Sequence, residues 1–386
     1  MAVPPSRDRQ SVLISGASIA GPTAAYWLRK AGFHPVLVER APAPRPGGQA
    51  IDVRGVALDV LARMGLLEAA QARRTRFKGF STLDGTGKEL WRTESQSLTG
   101  GRLDSDDIEL LRDDLSELLR GTLTTDTETI YGDGIAGMDE DNDGLTVRFE
   151  SGARRRFDLV IGADGIGSKV RALVFGEDRQ FLHSLNFALA IYSAPNHIGI
   201  EDWQISCREG PENCLVYPVR GNRELRVAFG FPAGLDDEHR FDIDAQKALV
   251  ASKARSLGWE VPRLLEAMSS APDFYLGLAA QVKMPSWSKG RVALVGDAAY
   301  CPSPFTGQGT SLALVGPYVL AQELARSPVD HAEAFRRYEA RMRPFVDKNQ
   351  AIVVLSQDKS FTEEGGQERV LAALEDAKNA IELDVS

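Results

Sequence analysis

Residues 11–40 constrain the fold more than any other part of the chain. SVLIS (11–15) reads as a buried strand, GASIAG (16–21) as a tight turn, Pro22 to Ala31 as a helix, and HPVLVER (34–40) as a second strand. Strand, turn, helix, strand is the opening of a parallel sheet, because parallel neighbours need a crossover and a helix supplies it. The turn needs residues with little or no side chain, so that backbone N–H groups and the helix dipole can reach a pyrophosphate. Gly16 allows the turn, Gly21 allows close strand–helix packing, and Ile19 and Ala20 lie in the turn between them. Ser18 stands where a second glycine is usual, and its hydroxyl can itself meet phosphate. Glu39 ends the second strand 23 residues after Gly16, where an acid accepts ribose hydroxyls. Arg40 beside it suits adenine or phosphate, and equally suits the surface. Turn and acid together point to a dinucleotide.

Two later stretches repeat the pattern of an apolar strand ending in Gly and Asp. DLVIGADGIGSKVR (158–171) places Asp164 and Gly165 just past a strand. LVGDAAYCPSPFTGQG (294–309) places Asp297 past another, and Gly307, Gln308 and Gly309 then open a helix. An aspartate at a strand's carboxyl end can accept a ribityl or ribose hydroxyl. Free N–H groups at a helix start stabilise negative charge, as on the pyrimidine side of a reduced flavin. The structural alternative for each is an ordinary capped helix start.

With 386 residues the chain has room for two domains. Short strands in FALAIYSA, WQISCR, NCLVYPVR, ELRVAFGF and FYLGLAAQVKM predict an antiparallel sheet over 181–285, with one helical insert near 242–258. The segments VALDVLARMGLLEAA (56–70) and DDIELLRDDLSELLRGTL (106–123) read as helices, as do 309–326, 331–356 (kinked or restarted near Pro344) and 367–383. The expected division is a discontinuous cofactor domain at 1–180 and 286–330, an inserted substrate domain at 181–285, and C-terminal bridging and capping helices at 331–386. A net charge of −9 argues against a nucleic-acid partner. No apolar run approaches the ~18 residues of a membrane span. Three cysteines without ligand spacing predict reduced thiols and no structural metal. A cytoplasmic monomer is expected.

The set GASIAG…ER, ADG and GDAAYCPSPFTGQG resembles the class A FAD-dependent monooxygenases of the aromatic-hydroxylase type, in order over nearly the whole chain. The resemblance implies an α/β fold: a Rossmann-like FAD-binding domain of the para-hydroxybenzoate hydroxylase kind, an inserted antiparallel sheet and C-terminal helices. It implies FAD as cofactor, NADPH or NADH as co-substrate, and O2, with one oxygen atom passing from a flavin C4a-hydroperoxide to an aromatic or polyketide-like substrate. It gives Asp164 contacts to FAD and NAD(P)H and Asp297 the ribityl chain. Pro302 and Pro304 then stiffen a loop at the isoalloxazine edge, and the backbone of 307–309 holds the flavin's polar edge. PVLVERAPAPRPGGQAIDVRGVA, IELLRDDL, SWSKGRVALVGDAAYCPSP and LALVGPYVLAQEL are similar to the tetracycline destructases, flavin enzymes that oxidise and inactivate tetracyclines. That similarity implies Arg112 near the flavin, the loop 47–55 against it, and Gln49 and Arg54 at the flavin–substrate boundary. Arg54 is then the one side chain offered for orienting substrate or flavin. It also implies a C-terminal helix beside the substrate entrance. Phe187, Tyr192, Arg208, Tyr217, Arg226 and Phe229 are candidate substrate-lining residues, with ordinary packing as the alternative for each. Ser18 for glycine, and Pro317 inside a helix, depart from the pattern. A biosynthetic polyketide or phenol hydroxylase, a flavin-dependent reductase and a non-catalytic flavin- or drug-binding protein remain as alternatives.

Overall fold

The computed structural model describes residues 10–97, 101–234, 242–357 and 366–384. One layer is a six-stranded sheet in the order Ser288–Lys289, Val292–Leu294, Leu159–Gly162, Ser11–Ser15, His34–Glu39, Thr129–Tyr131. Only Ser288–Lys289 runs antiparallel. Val12, Leu13, Ile14, Val36, Leu37, Val160 and Ile161 are fully buried, as in a parallel sheet covered on both faces. The helix Ala20–Lys30 packs against Gly309–Arg326, which packs in turn against His331–Gln357.

Register decides where the motifs meet. Ser15 lies beside Val38 and Gly162, and Gly162 beside Leu294. These strands end together, so the turns GASIAG, ADG and GDAAY all leave the sheet from one carboxyl edge. Ligands of open α/β sheets bind at that edge.

The second layer is a seven-stranded sheet in the order Tyr275–Val282, Leu182–Pro195, Glu224–Pro232, Glu212–Val219, Gln204–Glu209, Phe80–Leu83, Glu89–Thr93. It reaches beyond the expected 181–285 segment, because its last two strands come from far upstream and Phe80–Leu83 pairs in parallel with Gln204–Glu209. Ala188, Ala190, Val216, Val227 and Phe231 form a second core with residues of the helices Ile243–Lys253 and Val261–Ser269. The single helical insert expected here is thus two helices and a turn; residues 235–241 lie outside the described residues.

Three other expectations change. DDIELLRDDL opens as a strand: Ile108–Leu111 pairs antiparallel with Ala50–Val53, and the helix starts only at Arg112. Ile108 and Leu110 are buried in the core while Glu109 between them is half-buried on the other face, so a period of two wins over a helical face. VALDVLARMGLLEAA divides at Gly65, whose φ of 73° ends Val56–Arg63 before Leu67–Ala72. His331–Gln357 continues through Pro344 as one helix. The C-terminal helix Gly366–Lys378 packs on it through Ile352, Val370, Leu374 and Ala377, and residues 358–365 lie outside the described residues. Among the described residues, no helix is long and apolar enough to cross a membrane.

Candidate active site

Backbone geometry builds the first turn. Gly16 has φ 104°, and a Cβ there would lie 2.4 Å from the Ala163 carbonyl oxygen. A Cβ on Gly21 would lie 1.9 Å from the carbonyl oxygen of Gly16. Both positions therefore require glycine. Glu39 accepts hydrogen bonds from the Ala17 and Ala41 N–H groups, each at 2.9 Å. The acid expected to face ribose thus also ties the turn to the loop beyond its strand. Ala17, Ser18, Glu39, Arg45, Arg112 and Arg120 line a groove here, at the start of the helix Ala20–Lys30. Ile19 is the residue that precedes that helix and Ala20 its first. A turn held close by its two glycines, a helix N-terminus and three arginines fit the diphosphate of FAD. Arg40 is exposed and is not among the groove's lining residues.

At the second turn Asp164 accepts from the Ser168 hydroxyl (2.5 Å) and the Val170 N–H (3.1 Å), and burial raises its pKa. It braces the helix Lys169–Val174, while Gly165 turns the chain at φ 82°. Arg171, fully buried, donates to the carbonyls of Ile166 (2.5 Å) and Ala298 (3.0 Å) and pairs with Asp178 at 2.7 Å. It fastens the second turn to the third. Sequence reasoning missed it, since nothing in KVRALV marks the arginine as buried.

The third turn carries the strain. Gly296 (φ 61°) precedes Asp297, which is half-buried, with its pKa raised by burial against the opposing hydrogen bond of Cys301. Ser303 holds φ 87° although it is not glycine, and its side chain accepts from the Phe305 N–H at 3.3 Å. Gly307 is left-handed at φ 61°. Gln308 is fully buried, yet neither its Oε1 nor its Nε2 has a hydrogen-bond partner among the described residues. Leaving a buried polar group unsatisfied costs ~1–3 kcal/mol, so such an amide marks a place where a ligand completes the set. A Cβ at Gly309 would lie 3.8 Å from Asp297 Oδ1. The carboxylate, the strained loop and the orphaned amide fit the polar edge and ribityl chain of a flavin. Pro304 is exposed, and Phe305 beyond it meets the ring of Phe187 edge-on at 5.5 Å.

The loop 47–55 is held from two sides. Arg112 donates to the carbonyls of Gly47 (2.7 Å) and Arg45 (3.1 Å), its N–H donates to Gln49 O (3.0 Å), and burial lowers its pKa. From the second sheet Arg226 donates to Gly48 O (3.0 Å), and the Tyr217 hydroxyl accepts from the Ala50 N–H (2.9 Å). Arg54, 2% exposed, pairs with Asp52 at 3.0 Å, and its N–H donates to Ser311 Oγ at 3.1 Å. A Cβ on Gly307 would lie 3.0 Å from Asp52 and 3.1 Å from Arg54, so this ion pair sits directly against the loop at 303–307. Beyond it opens a cavity of about 340 Å³ lined by Asp52, Arg54, Thr75, Phe77, Asp107 and Glu109 among others. Desolvation, and then the neighbouring Asp52, push the Glu109 carboxyl up to about 8. Asp52 and Glu109 were not singled out in the sequence, where Glu109 falls within a segment that reads as helix.

The two-residue period of the second sheet sorts the expected substrate-lining residues. Phe187, Tyr217 and Arg226 share the face that contacts the loops at 48–50 and 305. Tyr192 and Phe229 point the other way: their rings stack at 6.3 Å inside the second core, and the Tyr192 hydroxyl donates to Leu264 O at 2.6 Å. They are packing residues there, away from the loops. Arg208 is exposed at the hairpin end of Gln204–Glu209 and lines no part of the cavity.

Comparisons with known proteins name the same cofactor and the same fold. A family model described as an FAD binding domain matches residues 9–351. An uncharacterized protein of Mycobacterium tuberculosis is 48% identical over 347 residues, covering 89% of this chain and 92% of its own length. A flavin-dependent monooxygenase of Legionella longbeachae is 37% identical over 382 residues, covering 96% of this chain and 97% of its own. The crystal structure of tetracycline destructase Tet(51) superposes with a TM-score of 0.89 at 33% identity, over 98% of this chain and all of that one.

Proposed function

Since this chain belongs to the FAD binding domain family and is a class A FAD-dependent monooxygenase, we propose that it uses NAD(P)H and O2 to hydroxylate an aromatic or polyketide-like molecule, tetracyclines included. Bound FAD supplies the redox chemistry between NAD(P)H, O2 and substrate. The chain's own residues bind and orient. Gly16, Gly21 and the helix start they open take the diphosphate, and Glu39 the ribose. Asp297 takes the ribityl chain, and Gln308 with the backbone of 307–309 the pyrimidine edge. Arg112 sets the position of Gly47–Gln49 against the flavin, and the Asp52–Arg54 pair separates that edge from the substrate cavity. No side chain is needed as a covalent catalyst in this reading.

The buried Gln308 amide, without a hydrogen-bond partner among the described residues, carries it; Asp297 lies near Gly309 on one side of it and the ion pair near Gly307 on the other. The tetracycline assignment draws on the likeness to a destructase over nearly the whole chain, C-terminal helix included. The test is product mass after incubating FAD-loaded protein with NADPH, oxygen and tetracycline. The expected product is one oxygen atom heavier and requires every component. Unchanged tetracycline, with oxygen-coupled turnover of another phenol or polyketide, would remove tetracyclines from the substrate range. NADPH oxidation that reduces a substrate without consuming oxygen would overturn the hydroxylation reading.

A further inference from the structure

Asp52 and Glu109 are direct partners across the two-stranded ribbon of Ala50–Val53 and Ile108–Leu111. Two carboxyls in that position, on the wall of one cavity, cannot both ionise cheaply. Asp52 has a cation of its own, Arg54 at 3.0 Å. Glu109 has, among the described residues, a neutral side-chain donor only: the Thr75 hydroxyl gives its hydrogen bond to Oε1 at 2.8 Å. Its other oxygen, Oε2, is buried and has no hydrogen-bond partner among the described residues. The charged groups around it are Asp52 and Arg54 from one strand and its flank, Arg74 from the segment before Phe80–Leu83, and Asp107 on its own flank. Tyr217 faces it from the second sheet. Asp107 is matched by Lys378 at 2.9 Å, and Arg102 on the cavity wall by Asp104 at 2.7 Å. With Asp52 and Asp107 paired, Arg74 and Arg76 leave the cavity net positive, while Glu109 adds a proton rather than a charge.

We propose that Glu109 is a specificity-determining proton donor that recognises an ionised oxygen, the enolate of a 1,3-dicarbonyl or a phenolate, on a substrate in this cavity. The proposal rests on reading the cavity as the substrate's. A neutral carboxyl donating O–H to an anionic oxygen makes a short, charge-assisted bond without introducing a like charge. A carboxylate in its place would repel the same oxygen. The donor thus selects the form of an enol or phenol that has already lost its proton, and the cavity holds that form beside the flavin edge.

Difference infrared spectra of FAD-loaded protein, taken on either side of pH 8, read the proton directly. The wild type should lose a carboxylic-acid carbonyl band as pH rises, and Glu109→Gln should lack that band. 4-Nitrophenol supplies the ligand arm, since its ionised form is coloured. It should bind the wild type as phenolate below its own solution pKa. Glu109→Ala should weaken that binding about tenfold or more, and Glu109→Gln, which keeps an N–H donor, should restore most of it. Absence of the acid band in the wild type overturns the proposal. So does the absence of 4-nitrophenolate binding, or equal binding by Glu109→Ala. Neither readout requires turnover, so a failure to oxygenate tetracycline stays separate from a failure here.

Discussion

Gly16 shows how little freedom a single position can have. Its φ of 104° is one that side chains rarely adopt, and the obstacle to a Cβ is the backbone carbonyl of Ala163. A rotating side chain could yield there, but a backbone carbonyl just past the neighbouring parallel strand, its own N–H bonded to Ser15 O at 2.8 Å, cannot. Gly16→Ala should cost roughly 1–3 kcal/mol and sharply lower the flavin bound after purification, measured as the ratio of flavin to protein absorbance. Ser18→Gly, in contrast, should keep its flavin. Glu109 makes a second prediction, through pH. Its carboxyl titrates at about 8 in the folded chain, against 4.5 as its ordinary value. Between those values the folded state holds a proton that the unfolded state has lost. Stability therefore falls as pH rises through that window and levels off above it. Glu109→Gln cannot lose the proton, so its urea midpoint should fall less across the window and exceed that of wild type at the upper end. An equal fall in both proteins would show that Glu109 does not set the slope.

Where three elements meet, two buried glutamines do the fastening. Gln350, in the helix His331–Gln357, donates to Val282 O at 2.7 Å and Cys301 O at 3.2 Å. Gln281, in the strand Tyr275–Val282, donates to Pro302 O at 3.1 Å and Gln350 O at 2.8 Å. A helix from the C-terminal region and a strand from the second sheet thereby hold the loop that carries Ser303 and Phe305. Gln350→Leu would remove these side-chain donors, leaving Cys301 O with the Val282 N–H at 3.0 Å, at a cost of ~1–3 kcal/mol in all. The expected result is a lower melting temperature and a weaker grip on FAD, read by flavin release on dilution. Full flavin retention would mean that the loop holds its shape without the glutamines. None of this fastening was legible in the sequence, because a buried glutamine bonded to carbonyls looks like any other glutamine. The three turns were legible, since each couples an apolar strand to glycines that backbone geometry demands. The second sheet was legible as strands but not as faces: alternation says that Phe229 and Arg226 point oppositely, and only packing says which of them meets the loops. Glu109 stayed hidden because IELL is too short to separate a strand from the helix that follows it.

At the scale of the whole molecule the cavity is walled by distant pieces of chain, and the C-terminal helix holds two of them in place. Lys378 Nζ pairs with Asp107 at 2.9 Å and with Glu375 at 2.8 Å, and its side chain is 11% exposed. Asp107 also accepts the Gly55 N–H at 3.1 Å, so one carboxylate joins the end of the helix to the segment that carries Arg54. A Cβ on Gly55 would lie 2.4 Å from the Lys378 carbonyl oxygen, which shows how closely the two segments approach. Burial opposes the charge on Lys378, but its hydrogen bonds to Glu375 and Asp107 outweigh that and raise its pKa. Loss of this contribution would begin only above the ordinary lysine value, so the pair should hold across the physiological pH range. Breaking it from one side is another matter. Lys378→Met leaves Asp107 largely buried without its cation and should cost ~2–5 kcal/mol. Asp107→Asn keeps an oxygen for the Gly55 N–H while removing the charge, so the double variant should recover part of that loss. A denaturation cycle of wild type, both single variants and the double variant gives the coupling directly. In the same variants, hydrogen peroxide released per NADPH oxidised should rise for Lys378→Met and fall back in the double variant, because a displaced helix end admits water to the cavity. Strictly additive stabilities would mean that Lys378 and Asp107 are not coupled, and that other contacts, among them Ile352, Val370, Leu374 and Ala377, hold the C-terminal helix.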